Sequence, residues 1–506
     1  MLTRLLLATA ACSGLLGCGA SGPPLPAPVP VPIPAALPVV TAVSLARPVA
    51  ALQSFVDSLV DLPQFASAHW GILIVAPERR DTLASVQPDR LVMPASNQKL
   101  ITAAVALSQL GPDYQWRTTF MRTGPIVKGV LRGDLVIAGT GDPSVSTAMR
   151  GDPLTAFDPL IATLRNAGVT RIAGRIRASD VVAFPGSPLG FGWDWDDLDA
   201  AYGAGVTELM FNEAFTDVQI RGCARVGQPA CVTTLPARTT PPIRAQVTTR
   251  TAGSGAAQIE WWRDSASAPG IVVRGSIAAG DAMTFSAAHP DGRRAYLAAV
   301  REALARGAIT VRDGSVHGTT SDTVVVLRSL PLADVLRAMQ KPSQNQIAEA
   351  LFRTVALDAT GVGTPDSARV VVERQLTGWG VRRDAHAVRD GSGLSRHDYL
   401  TPRAVVQVLD TMRRSAMFNA FYESLPIAGE EGTLQNRMRD FAQRRVRAKT
   451  GTVDKARALS GYVTTADGEM VIFSIIANNF TVANREVDRI AELIVERLVN
   501  LRRASP

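Results

Sequence analysis

Helical patterning stops near Trp116 and returns only at Arg294, and between them residues 116–288 run as short β-rich stretches dense in Gly and Pro. Turn signals such as Gly141-Asp142-Pro143 punctuate them, so this part reads as one or two inserted β-rich domains. The interruption restricts the fold class, because the helical segments on either side cannot be one continuous bundle. At 506 residues the chain is too long for one ordinary core, and its length suggests about three domains.

The flanking segments carry clear element signals. Val56, Leu59 and Val60 recur at helical spacing, and Gly71 to Ala76 reads as a buried strand. Pro94 before Leu100–Leu107 and Gly111-Pro112 after it delimit a second helix. Further on come a helix over Arg294–Arg306, a strand over Thr323–Leu327 and a helix over Leu332–Met339. Leu459–Thr465 and Met470–Ala477 flank Ala466-Asp467-Gly468, a hairpin signature. The last helix puts Val487, Ile490, Ile494, Leu498 and Leu501 on one face, which is a core face.

The N-terminus has one early arginine, a short apolar run and Leu15-Leu16-Gly17-Cys18, the pattern of an export signal. Leu-Leu-Gly-Cys resembles a bacterial lipobox, with Cys18 acylated; simple cleavage near Ala20 is the alternative. Residues 1–18 are thus a signal peptide and 19–48 a linker, whose Gly22–Pro38 stretch is too proline-rich to form a core. The expectation is an exported, periplasmic protein tethered as a lipoprotein, with no other membrane contact. Cys223 and Cys231 are the remaining cysteines, and a local disulfide between them suits an exported chain. No metal or other cofactor is expected, and the five histidines (His69, His289, His317, His386, His397) fit no triad or ligand spacing. The net charge of +8 comes from scattered arginines without a basic run, which argues against nucleic acid as a partner.

Of 53 basic side chains only Lys99, Lys128, Lys341, Lys449 and Lys455 are lysines. A buried ammonium gives up its proton far more readily than a guanidinium, so a chain this rich in Arg retains Lys where deprotonation matters. Ser96 and Lys99, three apart at a helix start, project from one face within a turn. The serine hydroxyl needs a base to become a nucleophile, and a buried lysine is one. Ser343-Gln344-Asn345 is weak by itself, since Ser-x-Asn commonly forms a turn or cap. Lys449-Thr450-Gly451-Thr452 is more specific, and the three motifs occur in the order of the penicillin-recognising serine enzymes.

The spacing from Ser96 to Ser343 is much longer than in class A β-lactamases and resembles that of the peptidase S13 family, the class C low-molecular-mass penicillin-binding proteins. Gly192-Trp193-Asp194-Trp195-Asp196-Asp197-Leu198, Asp390-Gly391-Ser392-Gly393-Leu394-Ser395-Arg396, 424–438 and Leu459–Tyr462 are also similar to that family, so the likeness covers roughly residues 50 to 500. It implies an α+β fold: a DD-peptidase/β-lactamase-like transpeptidase domain, an antiparallel sheet with helices on both sides. That domain would comprise 49–115 and 289–506, split by the inserted β-rich 116–288.

The resemblance further implies a serine-type D-alanyl-D-alanine carboxypeptidase and endopeptidase. Its partners would be peptidoglycan stem peptides and β-lactam antibiotics. Ser96 would attack the carbonyl while Lys99 takes its proton. Ser343 and Asn345 would line the cleft, with Ser343 passing a proton to the leaving amine. Lys449 and Thr450 would meet the terminal carboxylate, Gly451 would let substrate approach the strand, and the N–H groups of Ser96 and Thr452 would form the oxyanion hole. Arg396 falls where the family binds the carboxylate of a diaminopimelate side chain, and Asp180 would meet its amine. Gln344 stands where the family usually has Asp, a difference expected to tune rather than abolish activity. The rival functions are a β-lactamase or esterase of the same superfamily and a non-catalytic sensor of wall peptides or β-lactams.

Overall fold

The computed structural model describes residues 47–503 apart from 237–241, 265–269, 315–320 and 443. The export signal, Cys18, the spacer as far as residue 46 and His317 lie outside the described residues. Among the described residues no helix is long and apolar enough to cross a membrane.

The chain's two ends build one sheet. Near the start are β1 (His69–Ala76) and β2 (Asp81–Val86); near the end are β3 (Val446–Val453), β4 (Ala456–Thr464) and β5 (Met470–Asn478). Their order is β3-β4-β5-β1-β2 and every neighbouring pair is antiparallel. The long-range pairing is β1 with β5, Ile72 opposite Ile475. The sequence hairpin at 466–468 is the β4–β5 turn, with Gly468 at φ +85°.

Five helices cover this sheet: α1 (Arg47–Val60), α2 (Gln98–Leu110), α3 (Asn345–Thr360), α4 (Pro402–Arg413) and α5 (Asn484–Val499). Alternate strand residues Trp70, Ile72, Ile74, Phe473 and Ile475 share a core with Leu52 and Val56 of α1 and Ile494 and Leu498 of α5. On the opposite face Leu73, Tyr462 and Ile472 pack with Leu100 of α2, Leu351 of α3 and Leu409 of α4. With both faces covered, β1 and β5 are near-continuous apolar runs rather than alternating ones. This is the expected α+β arrangement.

Beyond residue 288 the chain still pairs with the start of the expected 116–288 insertion. Arg117–Arg122 pairs antiparallel with Asp322–Arg328, and the Ser329 N–H donates to the Trp116 carbonyl at 3.1 Å. Helix Gly292–Arg306 is present where its period placed it, but its apolar face, Tyr296, Val300 and Leu304, is buried with Phe120, Phe157 and Leu160 of the insertion. Helical period reports that a face is buried and not which core buries it. The β-rich content is otherwise as read, with small sheets centred on Phe215–Arg221 and Gly270–Ala278 and joined by the stacked rings of Trp261 and Phe285.

Candidate active site

A short 3-10 turn, Ala95–Asn97, runs directly into α2, so Ser96 sits at the helix N-terminus and Lys99 one turn further in. Helix α2 is buried along most of its length, which carries Lys99 to full burial. Its Nζ donates to Ser96 Oγ at 2.9 Å, Asn345 Oδ1 at 2.6 Å and the Ser392 carbonyl at 2.7 Å. Burial pushes Lys99 down from 10.5 to about 7, although Asp390, Glu349 and Asp398 oppose the shift. A lysine poised there exists substantially as the free amine at neutral pH.

Asn345 opens α3, and its amide orientation is settled by its neighbours. Its Nδ2 donates to the Tyr202 carbonyl at 2.9 Å, which can only accept, so Oδ1 faces Lys99. Ser343, two residues earlier, sits in the left-handed region at φ +67°, a strained conformation for a residue with a Cβ. Its hydroxyl accepts from Lys449 Nζ at 2.7 Å, and Lys449 also donates to the Thr450 carbonyl at 2.9 Å. Burial, and then the nearby Lys99, holds Lys449 well below its ordinary value. Among the described residues Lys449 is hydrogen-bonded to a hydroxyl and a carbonyl and to no carboxylate, so an arriving anion would meet no competing one.

The three motifs face a cleft of about 520 Å³, lined by Ser96, Ser343, Asn345, Thr450, Thr452 and Arg396 among others. β3 is the edge of the sheet on this side. The Ala448 N–H points away from β4, to the Pro426 carbonyl, and the period of two sends the N–H groups of Thr450 and Thr452 the same way. Thr450 Oγ1 donates to Thr433 Oγ1 at 2.7 Å. Gly451 is packed against the serine turn: a Cβ there would lie 2.7 Å from the Pro94 carbonyl oxygen. Close approach of two protein segments is thus a further reason for glycine at 451.

The family described as "D-Ala-D-Ala carboxypeptidase 3 (S13) family" matches residues 52–501. The chain belongs to that family. A D-alanyl-D-alanine carboxypeptidase of Actinomadura sp. (strain R39) is 32% identical over 464 residues, covering 88% of this chain and 84% of the relative. The D-alanyl-D-alanine carboxypeptidase DacB of Haemophilus influenzae is 26% identical over 473 residues, covering 88% and 92%. The crystal structure of penicillin binding protein 4 (dacB) from H. influenzae superposes with a TM-score of 0.74 at 24% identity, covering 88% of this chain and 99% of that one. This last likeness carries the fold alone.

Within this S13-family chain Arg396 reaches the cleft, its Nη1 donating to the Asp454 carbonyl at 3.3 Å. Asp180 does not. Its side chain is 96% exposed and paired with Arg177 at 3.5 Å, so the loop that carries it turns to solvent instead of lining the cleft. The acids that do line it are Asp194, Asp197 and Asp454, and Tyr202 donates from its hydroxyl to Asp197 Oδ1 at 2.7 Å. Asp197 lies in the 192–198 stretch, where an aromatic-flanked acidic run was the available signal. Thr433 and the Ser392 carbonyl were likewise not singled out, and a backbone acceptor leaves no trace in a sequence. Cys223 and Cys231, the expected disulfide pair, are brought together with their Sγ atoms 2.6 Å apart.

Proposed function

We propose that this chain is a serine-type DD-carboxypeptidase and endopeptidase acting on peptidoglycan stem peptides through an acyl-enzyme on Ser96, and that β-lactams acylate the same hydroxyl. The observation that carries this is the fully buried Lys99 amine 2.9 Å from Ser96 Oγ, held near neutrality. Neutral Lys99 takes the Ser96 proton as Oγ bonds to the penultimate D-Ala carbonyl carbon. The oxyanion forms against the outward N–H of Thr452 and the N–H of Ser96 at the α2 N-terminus. Lys449 and the Thr450 hydroxyl receive the terminal carboxylate. Collapse breaks the C–N bond, the leaving amine receives a proton from Lys449 through the Ser343 hydroxyl, and the proton that Lys99 took from Ser96 replaces it on Lys449, which returns Lys99 to the neutral amine. Water then attacks the acyl carbonyl carbon and gives a proton to the regenerated Lys99 amine, and as the bond from that carbon to Oγ breaks Lys99 returns the proton to Ser96, releasing the acid.

Arg396 and Asp197 line the cleft from separate segments and suit the carboxylate and amine of a zwitterionic side chain on the stem peptide. Export, with acylation of Cys18 and a proline-rich spacer, would leave the folded body free to reach the wall. The catalytic part comprises the sheet and its covering helices, with the 116–329 segment supplying the Asp197–Tyr202 wall. The test is labelling by a fluorescent penicillin together with D-Ala release from a pentapeptide ending in D-Ala-D-Ala. Ser96→Ala and Lys99→Arg should abolish both, since a guanidinium keeps the charge but cannot serve as the base. Labelling without release from short or cross-linked peptides would favour a sensor instead.

A further inference from the structure

Three carboxyl groups, Glu349, Asp390 and Asp398, are buried beneath Ser96, and only one of them lies on the same helix as a cleft residue. Glu349 follows Asn345 by four positions on α3, so the two side chains leave one face of the helix a turn apart. Asn345 touches Lys99 directly. Glu349 reaches it through the backbone of the 390–395 loop.

Glu349 Oε1 accepts the N–H groups of both Gly391 and Ser392, each at 2.9 Å. From the opposite side Thr102 of α2 donates its hydroxyl to the Gly391 carbonyl at 2.7 Å. Asp390 closes the loop on itself, accepting the N–H groups of Ser392, Gly393 and Ser395. The next carbonyl along, Ser392, then lies 2.7 Å from Lys99 Nζ. The loop is also pressed against the turn that carries the nucleophile: Gly393 has φ +78°, and a Cβ there would fall 1.8 Å from the Ala95 carbonyl oxygen.

The consequence lies in the valence of the amine. A neutral lysine has two N–H bonds and one lone pair. Asn345 Oδ1 and the Ser392 carbonyl can only accept, so in the neutral amine each takes one N–H bond. The remaining position is the lone pair, and among the described residues the third group bonded to Nζ is Ser96 Oγ. If either acceptor were lost the amine could rotate, turn an N–H bond toward Ser96 and cease to be a base.

We infer that Glu349 is a positioning residue for this proton transfer: it fixes the 391–392 turn so that the Ser392 carbonyl, together with Asn345, directs the Lys99 lone pair at Ser96 Oγ. The inference rests on the proposal that Lys99 is the base. Glu349 acts on the turn through its two hydrogen bonds, and burial and then the neighbouring Asp390 raise its carboxyl pKa. A glutamine oxygen can accept the same two N–H groups.

The experiment measures acylation by a fluorescent penicillin in the full exported chain, separating the limiting acylation rate from the affinity of the pre-acylation complex. Lys99→Ala should abolish acylation. Glu349→Ala should lower the limiting rate about 10- to 100-fold, the scale of a misplaced reacting group, with affinity within about threefold. Glu349→Gln should restore the rate to within about fivefold of the parent. Thr102→Val leaves Glu349 in place, releases the turn from its other side and should lower the same rate in a protein that folds even if Glu349→Ala does not.

Parental acylation in folded Glu349→Ala, or in Thr102→Val where the alanine variant fails to fold, overturns the proposal while leaving Lys99 as the base. A glutamine variant as slow as the alanine one also overturns it, because charge would then be what Glu349 contributes. Undiminished acylation in Lys99→Ala would remove the base, and this proposal with it.

Discussion

Gly451 of the edge strand lies against Pro94 so closely that a single added methyl would meet the Pro94 carbonyl oxygen at 2.7 Å and the Ala95 Cβ at 3.2 Å. The strand receiving the substrate and the turn holding Ser96 are thus in van der Waals contact, which sets the width of the cleft between the serine and the Thr452 N–H. Gly451→Ala should push the two apart. The strand is well packed on its other side, where Ala458 Cβ lies 3.0 Å from the same position, so the serine turn has to give. The expected result is a loss of stability of about 1–3 kcal/mol, typical of overpacking, and a fall in acylation of about a hundredfold from misalignment. Thermal unfolding and penicillin labelling of the same preparation check both; full labelling would mean the contact does not set the geometry.

Acylation should depend on pH through Lys99. The amine is active when neutral, and burial lowers its folded value to about 7. Below that the ammonium dominates and the rate should fall close to tenfold for each pH unit; above it the rate should level off. The acylation rate of the free enzyme, followed from pH 5 to 9, reports this directly. A midpoint near the ordinary lysine value of 10.5 would show that the neighbouring carboxylates outweigh burial.

Much of this site was legible because its chemistry is compressed into three short motifs. Ser96 and Lys99 are one helical turn apart, and a helix start flanked by Pro94 is visible in any reading of the chain. Ser343, Asn345 and Lys449 were placed by motif order, and the structure brings all five side chains to one cleft floor. What the sequence left open shares a cause. Asp180 lies in a loop and Asp197 in a short 3-10 turn, and nothing periodic in either says which one faces the cleft. The pairing of Arg117–Arg122 with Asp322–Arg328 joins strands some two hundred positions apart, which local patterning does not encode. Glu349 left a signal that was not used: an acid amid the apolar run Ile347-Ala348-Glu349-Ala350-Leu351, one turn beyond Asn345 and on a wholly buried stretch of helix.

Replacement of the cleft charges should separate Asp180 from Asp197. Asp180 is almost fully exposed and paired only with Arg177, so Asp180→Ala should change KM less than about twofold for any stem peptide. Asp197→Ala and Arg396→Ala each remove a charged hydrogen-bonding group from the cleft wall. For a peptide whose third residue has a zwitterionic side chain, KM should rise about ten- to a hundredfold, and for one ending in an uncharged side chain it should stay near the parent value. Equal effects on both peptides would mean that these residues shape the cleft without reading the side chain.

Ligand binding should draw a proton onto Lys449. In the free protein its amine is buried and repelled by Lys99, both of which favour the neutral form. A terminal carboxylate arriving beside Nζ supplies the missing opposite charge and raises its affinity for a proton, so the bound state holds more protons than the free one at pH values between the two. A D-Ala-D-Ala dipeptide bound near pH 7.5 should therefore take up a net fraction of a proton, seen as a binding heat that varies with the ionisation enthalpy of the buffer. Ser96→Ala prevents turnover and should retain the uptake, while the same variant carrying Lys449→Met should lose it along with most of the affinity. The size of the uptake is the decisive feature: no net proton uptake on binding would mean that Lys449 already holds its proton in the empty cleft.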